Sequence, residues 1–287
     1  MEIALQFVLL ALGFVMLGKG ADWFVEGAAG IAMRFGIPQL VIGLTIVAMG
    51  TSAPEAAVSI AAAVKGNADI TIGNIVGSNI LNILVILGLA ASIVPIAVAR
   101  STVRIEIPFI IGVTALLFYQ GRDGSISLAD GGVLMVAFAA YMMYLYTMAM
   151  KSNVDSDLEE PGLPLGRCLL GAVGGLALII AGSNVTVGAA TSIATYAGLS
   201  ERFIGLTIVA LGTSLPELVT SVAAARRGNA DIAIGNIVGS NIFNILFVVG
   251  LSSLIIDIPF ASAFNFDTYV ALGAAVLLWL CVLRTQR

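Results

Sequence analysis

Apolar residues fill this chain in long blocks, and the breaks between blocks are short and polar. The pattern predicts helices over 3–32, 37–65, 69–94, 102–119 and 127–149, then 165–193, 200–226, 231–256 and 265–283. Most blocks reach or approach the ~20 residues that cross a bilayer's hydrocarbon. No stretch shows the period-two alternation of a membrane β-barrel. The expected fold class is therefore an all-α polytopic membrane protein, with residues 150–164 (MKSNVDSDLEEPGLP), acidic and proline-bearing, as a linker.

The blocks are also repeated. Residues 41–89 align without a gap on 203–251, at a constant offset of 162, with 35 identities in 49 positions. VIGLTIVAMGTSAPE matches FIGLTIVALGTSLPE, and GNADITIGNIVGSNILNIL matches GNADIAIGNIVGSNIFNIL. Five crossings separate the two copies, and an odd number reverses direction, so the halves are inverted-topology repeats. The organisation expected is a first repeat of five helices over 1–149, a cytoplasmic linker over 150–164, and a second repeat of four over 165–287. The second repeat shows no counterpart of 127–149.

Composition adds to this picture. Hydrophobic residues make up 59% of the 287 and charged ones only 10%, at a mean hydropathy of +1.06; soluble domains carry about 25% charge. A net charge of −4 argues against a nucleic-acid partner, and the absence of histidine removes the commonest transition-metal ligand. Cys168 and Cys281 sit in apolar blocks and read as packing or lipid-facing residues. The opening MEIALQF lacks the basic region of a signal peptide, so the first block reads as a retained helix. With the N-terminus outside, the inner ends hold Arg34, Arg100, Arg104, Lys151, Arg167, Arg226, Arg227, Arg284 and Arg287, against Lys65, Arg122 and Arg202 outside. That bias predicts N-out and C-in.

The candidate chemistry lies in the duplicated GTSAPE (50–55) and GTSLPE (212–217). A charge at a helix centre costs roughly 2.5–3.5 kcal/mol on insertion scales, so Glu55 and Glu217 are expected to face inward. No lysine or arginine sits at their depth, which leaves a cation or protons as partner. Pro54 and Pro216 are expected to kink their helices at Gly50 and Gly212 and free carbonyls there. Carbonyls beside hydroxyls and a carboxylate form a hard-oxygen cage suited to Ca²⁺ or Na⁺. The next helix adds a stripe, Asn74, Ser78 and Asn82, repeated as Asn236, Ser240 and Asn244, with Gly73/Gly77 and Gly235/Gly239 allowing close approach. Two carboxylates carry the charge of one Ca²⁺, and two bidentate carboxylates with two carbonyls reach the lower end of calcium's ~6–8 ligands.

At these motifs the chain resembles the sodium/calcium exchanger family of the cation/calcium antiporter superfamily, in its bacterial and archaeal form with two α-repeats. The resemblance implies an antiporter that exchanges Na⁺ for Ca²⁺ by alternating access, in a prokaryotic inner membrane, with ten helices in the usual member. It implies Ca²⁺ on Glu55, Glu217 and the carbonyls of Thr51 and Thr213. It implies Na⁺ on Ser52, Ser214, Ser78, Ser240, the threonine side chains and the carbonyls of Ala48 and Ala210, with Asn82 and Asn244 lining the centre. Family members often place an aspartate where Asn244 stands, so this centre lacks a third carboxylate, and both two and three Na⁺ per Ca²⁺ fit. The first and sixth helices would slide across the other core helices. The partners implied are Ca²⁺, Na⁺ and lipid, with no cofactor, no obligatory protein partner and no enzymatic activity.

Alternatives are a proton/calcium exchanger, whose members carry a different signature around the glutamate, and a passive cation channel, which inverted repeats suit less well. Lys19, Asp22 and Glu26 read as an interfacial cluster, Asn67, Asp69, Asn229 and Asp231 as helix caps, and Asp155, Asp157, Glu159 and Glu160 as solvated linker. Glu106, Asp130, Asp257 and Asp267 fall near helix ends and call for no functional explanation.

Overall fold

Among the described residues, nine helical segments stand where the apolar blocks place them. The computed structural model describes residues 2–66, 68–96, 98–152, 163–199 and 210–283. In chain order these are α1 (Glu2–Phe35), α2 in two pieces (Gln39–Thr51 and Ala53–Val64), α3 (Ile70–Ile93), α4 (Thr102–Asp123) and α5 (Leu128–Ser152). The second half holds α6 (Leu165–Tyr196), α7 in two pieces (Ala210–Thr213 and Leu215–Arg226), α8 (Ala230–Ile255) and α9 (Ala263–Leu283). Most of the linker, residues 200–209, Asn67, Arg284 and Arg287 lie outside the described residues, as do Asp155, Asp157, Glu159, Glu160 and Arg202. Leu5, Phe7, Leu12, Phe14 and Val15 of α1 face outward, as expected where the surrounding solvent is hydrocarbon.

The core is built around α8, the most enclosed span, with 94% of its apolar window buried. Gly43 of α2 meets Gly235 of α8 backbone to backbone, and Gly239 packs on Leu44 and Ala48. Without Cβ atoms the two helices approach closely enough for the polar stripe of α8 to reach the break in α2. The mirrored neighbours of Gly73 and Gly77 fall within 205–210, mostly outside the described residues. On one side of the core, α1 and α6 cross at Gly13, Gly20 and Gly27 against Gly175 and Gly182. On the other side stand α4, α5 and α9. A two-residue antiparallel bridge, Ser125–Ile126 with Ile258–Pro259, ties the α4–α5 turn to the α8–α9 turn.

The pseudo-symmetry is broken at one surface. Gly250 and Ser253 of α8 are covered by Gly131, Leu134 and Met135 of α5. Their images on α3 are Gly88 and Ala91. A β-carbon at Gly88 would meet nothing among the described residues, and an apolar groove of about 330 Å³ lies there, lined by Ile83, Leu84, Leu87 and residues of α9.

Several smaller expectations change in the folded chain. Asp22 and Glu26 pair with Arg227, just past the end of α7, at 3.3 and 3.2 Å, half exposed, while Lys19 points outward. Exposed pairs of this kind stabilise by about 0–1 kcal/mol. Arg227→Ala is expected to lower the unfolding temperature by a degree or two at low salt and by nothing at high salt, read by thermal unfolding in detergent. Asn229 occupies the position before α8 but makes no side-chain capping bond. Asp130 and Asp257 do accept backbone N–H bonds, from Ser127 and Leu128. Cys168 is buried against Gly30, and Cys281 faces outward.

Candidate cation site

Where the sequence predicts a proline kink, the chain instead ends one helix and starts another. Ser52 leaves the helical region at φ −81°, ψ 6°, and the two pieces of α2 meet at 50°. Ser214 does the same in α7, at φ −92°, ψ 5°. Pro54 and Pro216 therefore occupy the first turn of a new helix, where a missing N–H costs nothing. Glu55 and Glu217 follow directly, in the same first turn. The partial positive charge at a helix start favours an anion there.

The two breaks face each other. Ser52 Oγ donates to Glu217 Oε1 at 2.8 Å, and Ser214 Oγ donates to Glu55 Oε1 at 3.2 Å. Each carboxylate is thus held by the serine of the opposite repeat. Both are buried, at 0% and 1% exposure, so neither turns toward lipid. Their other oxygens, Glu55 Oε2 and Glu217 Oε2, have no hydrogen-bond partner among the described residues.

The stripes of α3 and α8 brace this arrangement. Asn74 Nδ2 donates to the Glu55 carbonyl and to Ser59 Oγ, at 3.2 and 2.9 Å, and Asn236 Nδ2 binds the Glu217 carbonyl and Ser221 Oγ at 3.3 and 2.9 Å. Thr51 Oγ1 lies 2.9 Å from Asn236 Oδ1. Ser240 Oγ donates to the Ala48 carbonyl at 3.3 Å. Ser78 is buried at the mirrored position, while Thr213 is half-buried, and the side chain of Ala210 lies outside the described residues.

Asn82 and Asn244 each open a π-helical turn, Asn82–Leu87 and Asn244–Val249, a distortion that recurs at functional sites. Their amide nitrogens are committed across the repeat axis, Asn82 Nδ2 to Asn241 Oδ1 at 2.9 Å and Asn244 Nδ2 to Asn79 Oδ1 at 3.1 Å. Their Oδ1 atoms are buried and open. Asn79 and Asn241 also exchange Nδ2-to-carbonyl bonds at 3.1 Å each, a clasp between α3 and α8. Both stand in the repeated NIVGSNI and so carry a signal in the sequence, yet the spacing alone assigns them no role.

The sum is a symmetric set of oxygens. Thr51, Ser52, Ser214 and Ser240 have committed their hydroxyls, and four buried acceptor oxygens, two from carboxylates and two from amides, remain without a partner among the described residues. Carboxylate and amide oxygens suit hard cations. A cavity of about 690 Å³, lined by Pro54, Val58, Ser183, Asn184, Gly212 and Thr213 among others, reaches the break in α7.

Known proteins resemble the chain along nearly its whole length. It matches the family described as "Sodium/calcium exchanger protein" over residues 5–147 and 168–287. It is 42% identical to the "Putative antiporter CaxA" of Alkalimonas amylolytica, covering 99% of this chain and 91% of that protein. It is 34% identical to the "Sodium/calcium exchanger MaX1" of Methanosarcina acetivorans, covering 99% and 92%. Its fold superposes on the sodium-calcium exchanger NCX_Mj soaked with Na⁺ and Sr²⁺ with a TM-score of 0.85 at 35% identity, over 97% of this chain and 90% of that one.

Proposed function

We propose, from the premise that this chain belongs to the sodium/calcium exchanger family, that it moves Ca²⁺ against Na⁺ by alternating access and holds both ions at Glu55 and Glu217. The family consists of transporters rather than enzymes, and the chain is a multi-pass protein of the plasma membrane. The observation that carries the reading is the pair of buried carboxylates. Each is fixed on one oxygen by the other repeat's serine and open on the second.

This geometry favours exchange over leak. With no ion bound, two like charges face each other in a low-dielectric core, with no basic partner among the described residues, which is costly. The empty site therefore resists the occluded state that any crossing must pass through. One Ca²⁺ cancels both charges and takes the open Glu and Asn oxygens as ligands. Two Na⁺ cancel the same charge, with Ser52, Ser214, Ser78, Ser240 and the carbonyls of Thr51, Thr213, Ala48 and Ala210 as further oxygens. Asn244 is neutral, so the centre holds two negative charges and not three. Charge balance then favours two Na⁺ per Ca²⁺, an electroneutral cycle. Selection between the two cations follows from the number of oxygens and the charge they must balance. The crossing of α1 and α6 through glycines gives a smooth, paired unit that can shift against the core.

The test is flux into vesicles with the Na⁺ and H⁺ gradients varied independently. Ca²⁺ uptake is expected to follow the outward Na⁺ gradient and to be insensitive to membrane potential. Uptake driven by a pH gradient in the absence of Na⁺ assigns the proton/calcium reading instead. Single-channel current without a counter-ion assigns a channel.

A further inference from the structure

A second group of buried polar side chains lies away from the paired glutamates, toward the end of the bundle that carries Arg104 and Lys151. Its centre is Glu106 of α4, which the sequence places near a helix end and the fold buries completely. Tyr144 of α5 donates to Glu106 Oε1 at 2.5 Å. Glu106 Oε2 has no partner among the described residues. Two further buried oxygens nearby are also open: Thr102 Oγ1, one turn earlier on α4, and the hydroxyl of Tyr141, one turn earlier on α5. The Tyr141 ring is fixed by Phe109 and Tyr144, with centroids 5.2 and 6.3 Å away, which sets it beside the ring whose hydroxyl binds Glu106.

The backbone here is also unusual. Thr102–Glu106 forms a π-helical turn, which takes backbone groups out of the ordinary ladder. Trp279 of α9 donates its indole N–H to the Val103 carbonyl at 2.9 Å. Three helices therefore meet at this point, and the Tyr144 hydroxyl and the Trp279 indole are already committed. Arg104, two positions from Glu106, faces outward. Among the described residues, ion pairs form only at Arg227. A buried carboxylate without a cationic partner is costly and marks a functional site within a membrane.

We infer that Glu106, Thr102 and Tyr141 hold one monovalent hard cation of the Na⁺ class, at a site separate from the exchange site. All three open groups are oxygens, which select hard cations. There is one carboxylate, so a single positive charge balances it and a divalent ion overshoots. A proton on Oε2 balances the same charge, but it answers to pH and not to the choice of monovalent salt. The bound ion joins α4 to α5 beside the point where α9 is already tied in, outside the helices that carry the exchange motif.

The experiment uses the full chain with Glu55→Gln and Glu217→Gln together, so that any remaining Na⁺ effect belongs elsewhere and the outcome does not depend on the antiport reading. Thermal unfolding in detergent is followed as Na⁺ replaces choline at constant ionic strength. Na⁺ is expected to raise the unfolding temperature of this double variant, and adding Glu106→Gln is expected to abolish the rise. Tyr141→Phe keeps both ring stacks and is expected to raise the Na⁺ midpoint several-fold. It also serves as the decisive variant if Glu106→Gln does not fold. An identical response in Na⁺ and choline overturns the site. So does a Na⁺ shift that survives Glu106→Gln, an unchanged midpoint in Tyr141→Phe, or the same stabilisation from acidification in choline alone.

Discussion

Glu55→Gln and Glu217→Gln are each expected to abolish Na⁺-driven Ca²⁺ uptake into vesicles. The amide keeps the shape and removes the charge. Loss of one of two charged partners around a buried ion costs on the order of 3 kcal/mol, about 100-fold in affinity. The serine bond across the repeats remains possible to an amide oxygen, so the variants should fold. They should in fact unfold at a higher temperature than the parent in Ca²⁺- and Na⁺-free buffer, because one of two facing buried charges is gone. The two effects have opposite signs. A variant that loses transport through misfolding would lose stability as well, so melting curves run beside the flux assay separate the cases. Combining both substitutions should be no worse for transport than either alone, since the carboxylates act as one unit. Normal uptake in either single variant would remove Glu55 and Glu217 from the mechanism.

Gly235→Val is expected to have the largest effect on the fold. A β-carbon at Gly235 lies 3.0 Å from Gly43 Cα, the Leu40 carbonyl and the Leu44 nitrogen. All three are backbone atoms and cannot rotate away. Valine forces α2 and α8 apart and pulls Asn236 and Ser240 from Thr51 and Ala48. Overpacking in a close-packed core usually costs about 1–3 kcal/mol, and a backbone clash in the most enclosed helix falls at or above the upper end. Gly88→Val is the control, at the pseudo-symmetric equivalent of Gly250. Its β-carbon meets nothing among the described residues, and its effect should stay within about 0.5 kcal/mol. Equal melting temperatures for the two variants would contradict the packing described for α2 and α8.

Much of this protein is legible along one dimension. Bilayer thickness fixes how long an apolar block must be, so the positions of the helices follow from composition alone. The constant offset between the halves reveals the inverted repeat, and the cost of a membrane charge points to Glu55 and Glu217. These signals need no knowledge of neighbours. The rest depends on which helix faces meet, and those faces belong to residues far apart in the chain, 192 positions for Ser240 and Ala48. Pro54 and Pro216 signal a disruption in the sequence, but only packing makes it a break with a fresh helix start beneath each glutamate. Asn79 and Asn241 look like two more polar residues in a stripe until α3 and α8 are brought together and their amides interlock. Glu106 lies close to a helix end on paper, and the approach of α5 and α9 encloses it. Gly88 and Gly250 are equivalent in the repeat, yet only Gly250 is covered, by α5. Sequence determined which segments enter the membrane and where charge must be answered, because transfer free energies are properties of single segments. Tertiary structure decided which oxygens remain open, because a donor goes to whichever acceptor packing places within about 3 Å.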